Sequence, residues 1–81
     1  MANPTTHLAE TVAHVAALTE QLRRLDHQRQ IAIHDALNAG ASWSQIALAL
    51  RVTPQAAHKR YRWLHHSPLT GETWHEPPLP Y

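Results

Sequence analysis

Apolar side chains recur at helical spacing through the first forty positions of the chain. Positions 4–39 are rich in Ala, Leu, Gln, Glu and Arg, and after Pro4 they contain no Gly or Pro, so they predict one long helix or two in series. Steps of three or four positions place a single apolar stripe along the first part of that helix. This stripe is typical of a helix that packs on another helix, and we expect it to be a dimerisation surface: Leu8, Val12, Val15, Leu18, Leu22 and Leu25.

The two ends of this helix carry recognisable signals. Asn3 followed by Pro4 is expected to cap its start, and Gly40 is expected to end it. The stripe changes phase after a polar segment, positions 26–30, so we expect a bend or a change of packing partner near Asp26. A continuous helix of this length would be roughly 50 Å long, so its first half must project or pair with another chain.

Two shorter helices follow. Ser42 and Gln45 have the spacing of a capping box and predict a helix over positions 41–52, with one buried side formed by Trp43, Ile46, Ala47 and Leu50. Thr53 as N-cap and Pro54 in the first turn predict a third helix that reaches Leu64 or His65. Its inward side is expected to consist of Ala57, Tyr61 and Leu64, with Val52 anchoring the turn before it.

The remaining positions are rich in turn residues and predict an extended, proline-rich tail. The expected fold is therefore all-α, with a long N-terminal helix, a helix-turn-helix and this tail. We divide the chain into a helical dimerisation arm (1–28), a helix-turn-helix DNA-binding domain (29–66) and the tail (67–81). Trp74, Leu79 or Tyr81 could order the tail by entering an apolar groove, and Trp63 is a candidate for the surface that the tail covers.

Composition excludes several classes of function. The chain has no Cys, so no disulfide framework or thiolate zinc site is available, and we expect a cytoplasmic protein without a membrane span. Its eight histidines include no pair at i, i+4, so no metal site is expected. No pairing of nucleophile and base and no phosphate-binding glycine loop is present, so we expect neither an enzyme nor a cofactor.

Charge is distributed unevenly along the chain. The formal net charge is only +1, but positions 36–71 hold Arg51, Lys59, Arg60 and Arg62 without a single acid. Basic charge concentrated on one short segment is expected of a surface that meets phosphate.

These signals coincide in positions 42–64, which have the organisation of a helix-turn-helix. Positions 53–64 would form the recognition helix in the major groove, with Gln55, His58, Lys59 and Arg62 outward. An amide can pair with adenine, basic side chains with guanine or phosphate, a methyl group with thymine, and helix N-termini with phosphate. The candidate DNA-binding residues are Ser42, Ser44, Arg51, Thr53, Gln55, Ala56, His58, Lys59, Arg60 and Arg62.

The stretch GASWSQIALALRVTPQAAHKRYRWL resembles the helix-turn-helix of small regulators from actinobacteria and their phages, and is similar to the DNA-binding helix pair of sigma-factor region 4. Ala47 and Ala57 match that pattern's small residues, and Leu50 and Val52 match its apolar residues beside the turn. The resemblance implies sequence-specific binding of double-stranded DNA by a transcriptional regulator. Such turns usually hold Gly where this chain has Arg51, which implies either strain or a differently shaped turn.

Two hypotheses of different class follow. The first is a homodimeric regulator from a phage or mobile element, whose two recognition helices read half-sites roughly 34 Å apart. The alternative is a protein-interaction module that docks on a phage or host protein through the long helix or the tail, without binding DNA.

Overall fold

The computed structural model describes residues 4–79, which form three helices followed by a two-stranded antiparallel sheet. The long N-terminal helix and the helix pair agree with the prediction, but the sheet means that the fold is mostly helical and not all-α. The elements are α1 (Pro4–Asn38), α2 (Trp43–Leu50), α3 (Pro54–Tyr61), β1 (Leu64–His66) and β2 (Thr73–His75).

Helix α1 is continuous over 35 residues, so of the two alternatives expected near Asp26 it is the change of packing partner that the structure supports. The Asp26 carboxylate accepts hydrogen bonds from Arg29 at 3.1 Å and from Gln30 at 2.8 Å, and such links three or four positions apart support the helix through this point. What changes here is the packing partner, because the helix meets the rest of the protein only beyond this position. The predicted cap at Asn3 lies outside the described residues.

Gly40 ends α1 as predicted. Its φ of 98° is in the left-handed region, where glycine has no steric penalty. The Ala41 N–H donates to the Ala36 carbonyl at 2.9 Å, and the Gly40 N–H donates to the Leu37 carbonyl at 3.1 Å. These bonds satisfy carbonyl groups that the end of a helix would otherwise leave unpaired.

The first part of α1 projects from the rest of the protein. The described residues extend over 63 × 28 × 24 Å, and the long dimension follows α1. We call residues 4–25 the arm and residues 29–79 the head. The six stripe residues of the arm remain 45–67% exposed, so nothing within residues 4–79 covers them.

The small core lies in the head, where the last turns of α1 meet α2 and α3. Its buried members are Ile33, Ile46, Ala47, Ala57, Tyr61 and Leu64, and Ala36, Leu37, Ala41, Trp43 and Leu50 pack around them. Val52 is 47% exposed, so the expectation that it anchors the turn is wrong. Its backbone N–H is held by the Ala47 carbonyl at 3.0 Å, and its side chain lies at the rim of a depression between α2 and α3.

Helix α3 is shorter than predicted. It ends at Tyr61, so the expectation of a helix running to position 64 is wrong, and Leu64 enters the core from strand β1. Leu64 lies seven positions after Ala57, so a continued helix would bury its side chain. The first position of β1 buries the same side chain. The predicted core residue is therefore correct although its secondary structure is not.

The predicted extended tail is also wrong for residues 67–75, which complete a hairpin. Strands β1 and β2 pair Leu64 with His75, His65 with Trp74 and His66 with Thr73. The turn between them is closed by the Gly71 N–H, which donates to the Ser67 carbonyl at 2.8 Å, and Gly71 adopts a φ of 75°. A glycine in this conformation reverses the chain where a side chain would be strained.

Candidate nucleic-acid interface

The helix pair is held in place by caps at both N-termini. The Ser42 hydroxyl accepts from the Gln45 N–H at 3.1 Å, and the Gln45 side chain accepts from the Ser42 N–H at 2.8 Å, which is the predicted capping box. Thr53 accepts from the Ala56 N–H at 3.1 Å, and Pro54 follows in the first turn of α3. Both hydroxyl groups act as acceptors in these caps, which leaves their own hydrogens available for a further acceptor such as a phosphate oxygen.

The turn between α2 and α3 contains a residue in the left-handed conformation, at the position where such turns usually hold Gly and this chain has Arg51. Arg51 adopts φ 60° and ψ 44°, and its N–H donates to the Leu48 carbonyl at 3.2 Å. The turn therefore has the shape usually formed by glycine, with an arginine held in it at a cost of about 1 kcal/mol. Its side chain is exposed beside the helix pair.

One side of α3 packs into the core. Ala47 of α2 and Ala57 of α3 are each only 1% exposed, and two such small residues allow the two helices to approach closely. Tyr61, one turn beyond Ala57, is buried as well. This fixes which side of α3 faces outward.

The opposite side of α3 carries the predicted reading face. Gln55 and Lys59 lie one turn apart and are exposed, with Ala56 between them. His58 lies at the α2 edge of this face, where its ring meets Trp43 edge-on at a centroid distance of 5.1 Å. Trp43 thereby limits the orientations that the imidazole can take.

Arg62 is displaced from its predicted position within the helix. It follows the last residue of α3, and its guanidinium lies over the Trp63 ring at 4.9 Å from the centroid. Both residues line a depression together with the segment Glu76–Leu79. Because Arg62 is still exposed, the tail lies beside the reading face and does not seal it.

Arg60 lies on the flank of α3 that faces α1. Its guanidinium sits over the Tyr61 ring at 5.4 Å from the centroid. The hydrogen bond from Gln30 holds the pKa of Asp26 below its usual value, and the positive charges of Arg29 and Arg60 lower it further. Arg60 is thus close enough to α1 to interact with its acid, while its side chain stays exposed.

The structure brings the ten predicted DNA-binding residues to the surface of one helix pair and its turn, and all ten are exposed. Within residues 4–79, no carboxylate lies within ion-pair distance of Arg51, Lys59, Arg60 or Arg62. Arg51, Lys59 and Arg62 therefore carry charges that no described carboxylate pairs with, the charge of Arg60 is offset only in part by Asp26, and this part of the surface is positive.

Sequence reasoning missed the hairpin that follows α3. It brings His65 onto Trp74, with the rings stacked 5.5 Å apart, and the His65 Nε2 donates to the Glu76 carbonyl at 3.1 Å. The available signal was Gly71, which lies five residues after the three-residue segment Leu64–His66. Such a loop with glycine is a hairpin signal when the flanking strands are recognised.

Comparison of this chain with protein-family models, with curated proteins and with solved structures finds no match. Over the described part of the chain, no helix has both the length and the apolar character that crossing a membrane requires. The same residues contain no group of three or more potential metal ligands.

Proposed function

We propose that this protein binds double-stranded DNA through the helix pair α2 and α3, as a small transcriptional regulator without enzymatic activity, and that α3 enters the major groove. The observation that carries the proposal is the row of exposed, unneutralised polar and basic residues on the side of α3 that faces away from the core. An α-helix with its side chains is about 10–12 Å across, which fits the major groove's width of about 12 Å.

The predicted contacts fall into two groups. Gln55, in the first turn of α3, is suited to base edges, since the N-terminal part of a recognition helix usually reaches them, and Lys59 one turn later is suited to guanine or to phosphate. Arg51, Arg60 and Arg62 lie around that row and are suited to phosphate groups. The capped N-terminus of α2, with Ser42 and Ser44, offers a second site for phosphate.

Fluorescence anisotropy on a random-sequence duplex tests this proposal at a series of salt concentrations. We expect the wild type to bind at low salt, and we expect Lys59→Ala and Arg62→Ala each to weaken binding and to reduce the slope of log K against log salt by about 0.9. Arg24→Ala is the matched control, because it removes an exposed arginine from the arm. Absent wild-type binding, or equal effects of all three substitutions, contradicts the proposal.

We propose further that the active form is a homodimer held together by the arm. The exposed apolar stripe supports this, because a soluble chain seldom presents six large aliphatic residues in one row without a partner. In sedimentation, Leu18→Glu with Leu22→Glu should convert a dimer to a monomer, whereas Ala13→Glu with Glu20→Gln, chosen outside the stripe, should not. A wild type that sediments as a monomer removes the dimer.

The same stripe supports the second candidate function, docking on another protein without DNA. The two functions separate in the anisotropy experiment, because a docking module has no reason to bind a random duplex in a manner that depends on Lys59. Tight complex formation with a protein partner together with no DNA binding at low salt would favour this alternative.

A further inference from the structure

The arm's apolar stripe and the head occupy the same face of α1. Ile33, which is buried in the core, follows Val15 by eighteen positions, and that is five turns at about 3.6 residues per turn. Arg29, between the stripe and Ile33, lines a depression together with Leu50 and Tyr61 of the head. The stripe therefore runs directly into the head at about position 29.

This placement opposes a parallel pairing of two arms. In a parallel pair, equivalent residues of the two helices lie at the same level, so the two heads would also lie at one level. Each head covers Ile33 and packs on Ala36 and Leu37, on the face that points at the other helix. Two heads in that space would force the helices apart and leave Leu22 and Leu25 without partners.

An antiparallel pairing avoids this conflict. If Leu8 of one copy lies across from Leu25 of the other, then Val15 lies across from Leu18, and Pro4 lies across from Arg29. The second helix thus begins where the head of the first begins. The stripe is covered over its whole length, and the two arms together offer roughly 1,000 Å² of buried surface, which is about the minimum expected of a specific interface.

Charge along the arm favours the same direction. Positions 4–20 contain Glu10 and Glu20 and no Lys or Arg, whereas positions 21–29 contain Arg23, Arg24 and Arg29 with Asp26 as their only acid. Antiparallel arms place the acidic part of each helix beside the basic part of the other. Parallel arms would instead place the two basic parts beside each other, and like charges at one level are repulsive.

Building on the proposed DNA-binding dimer, we propose that two copies of this chain pair through antiparallel arms, with Leu8 across from Leu25, and hold their heads at opposite ends of the paired helices. Because Ala56 and Arg60 of α3 line a depression with Arg29, α3 lies near the level of Arg29 along α1. The two copies of Arg29 are twenty-five residues apart along the pair, or about 38 Å.

This separation is close to the roughly 34 Å between successive major grooves on one side of a duplex. A two-fold axis through the middle of the paired arms relates the two recognition helices, so the partner that this dimer fits is a palindromic site with half-sites one turn apart. The arm thereby sets the spacing of the site, in addition to holding the two copies together.

Disulfide trapping tests the direction of pairing, and the chain suits it because it has no cysteine of its own. Leu8→Cys and Leu25→Cys are prepared separately and oxidised with glutathione disulfide, each alone and as an equal mixture. In the antiparallel pair the two copies of position 8 are about 25 Å apart, far beyond the range of a disulfide, so only the mixture should give a cross-linked dimer. Thr11→Cys mixed with Leu22→Cys is a second pair in the same register and should behave alike.

Each alternative result overturns the proposal. Cross-linking of Leu8→Cys with itself indicates parallel arms, and the absence of cross-linking in both mixtures, with sedimentation as a monomer, indicates that the arms do not pair. Anisotropy on the same samples separates this failure from that of the DNA-binding function: monomers that still bind a random duplex through Lys59 leave the function intact and remove only the pairing.

Discussion

The Nε2 atom of His27 donates a hydrogen bond to the carbonyl oxygen of Gly71, 3.0 Å away and forty-four residues along the chain. Since a carbonyl oxygen only accepts, the imidazole proton must lie on Nε2. Next to this bond, the Thr73 hydroxyl donates to Gln30 at 3.2 Å, and the Gln30 amide donates to Asp26 at 2.8 Å. A chain of polar contacts thus joins the hairpin to α1 at the start of the head.

Removal of the Thr73 hydroxyl should loosen the hairpin. In Thr73→Val the shape of the side chain is kept, but the part-buried Gln30 loses a donor, and an unsatisfied polar group of this kind costs about 1–3 kcal/mol. We expect hydrogen exchange of the backbone amides in residues 64–75 to become about tenfold faster. Thr19→Val on the exposed arm is the control and should leave the hairpin unchanged; equal exchange in both variants would show that the polar contacts do not position it.

Acid should weaken the same region through Asp26. Its pKa is lowered in the folded protein, chiefly by the hydrogen bond from Gln30, from the value of 3.8 that applies to the unfolded chain. The folded protein therefore binds a proton at Asp26 less readily than the unfolded chain does. The stabilisation is therefore complete above that value and is lost as the pH falls through the lower, folded pKa. We expect the melting temperature of the wild type to fall more steeply below about pH 4 than that of Asp26→Asn. Parallel pH profiles would contradict this, and Glu10→Gln serves as the control for loss of a carboxylate.

Two substitutions of Arg51 should separate its effect on stability from its effect on DNA binding. Its backbone is left-handed, with φ 60°, and glycine would adopt this conformation without the steric penalty. Arg51→Gly should raise the stability by about 1 kcal/mol, which is about 4–8 °C in melting temperature for a domain of this size. The same variant should bind DNA more weakly because it loses one phosphate contact. Arg51→Ala removes the charge but keeps the strain, so it should weaken binding without the gain in stability; a gain in both variants would refute the role of the backbone.

The sequence was most informative where structure is determined locally. The box of Ser42 with Gln45 and the cap at Thr53 depend on residues three positions apart, so they could be located from spacing alone. The exposure of the arm could be predicted because a helix of this length is too long for all of it to pack on two short helices. The direction of the α3 face also followed from spacing, because Ala57 and Tyr61 lie one turn apart.

What could not be predicted depends on contacts distant in sequence. The hairpin has strands of only three residues, rich in histidine, and its docking relies on His27 and Gln30 more than forty positions away. The phase change near Asp26 left a bend and a change of packing partner as alternatives, because a straight helix can lose its packing partner at one end without bending. Arg51 shows the third limit, since its left-handed turn is imposed by the packing of the two helices against the local preference of arginine.

The last prediction concerns Ala57, at which α3 packs against α2. This residue is 1% exposed and belongs to the same core cluster as Ala47, also 1% exposed, whereas its neighbour Ala56 is exposed on the same helix. Ala57→Leu would force extra atoms into a closely packed site, and such overpacking costs about 1–3 kcal/mol. Because this small core leaves little stability in reserve, we expect a strongly lowered melting temperature for Ala57→Leu and a change within about 0.5 kcal/mol for Ala56→Leu. Similar melting temperatures for the two variants would mean that the helices do not cross at Ala57, and the outward direction of Gln55 and Lys59 would lose its structural basis.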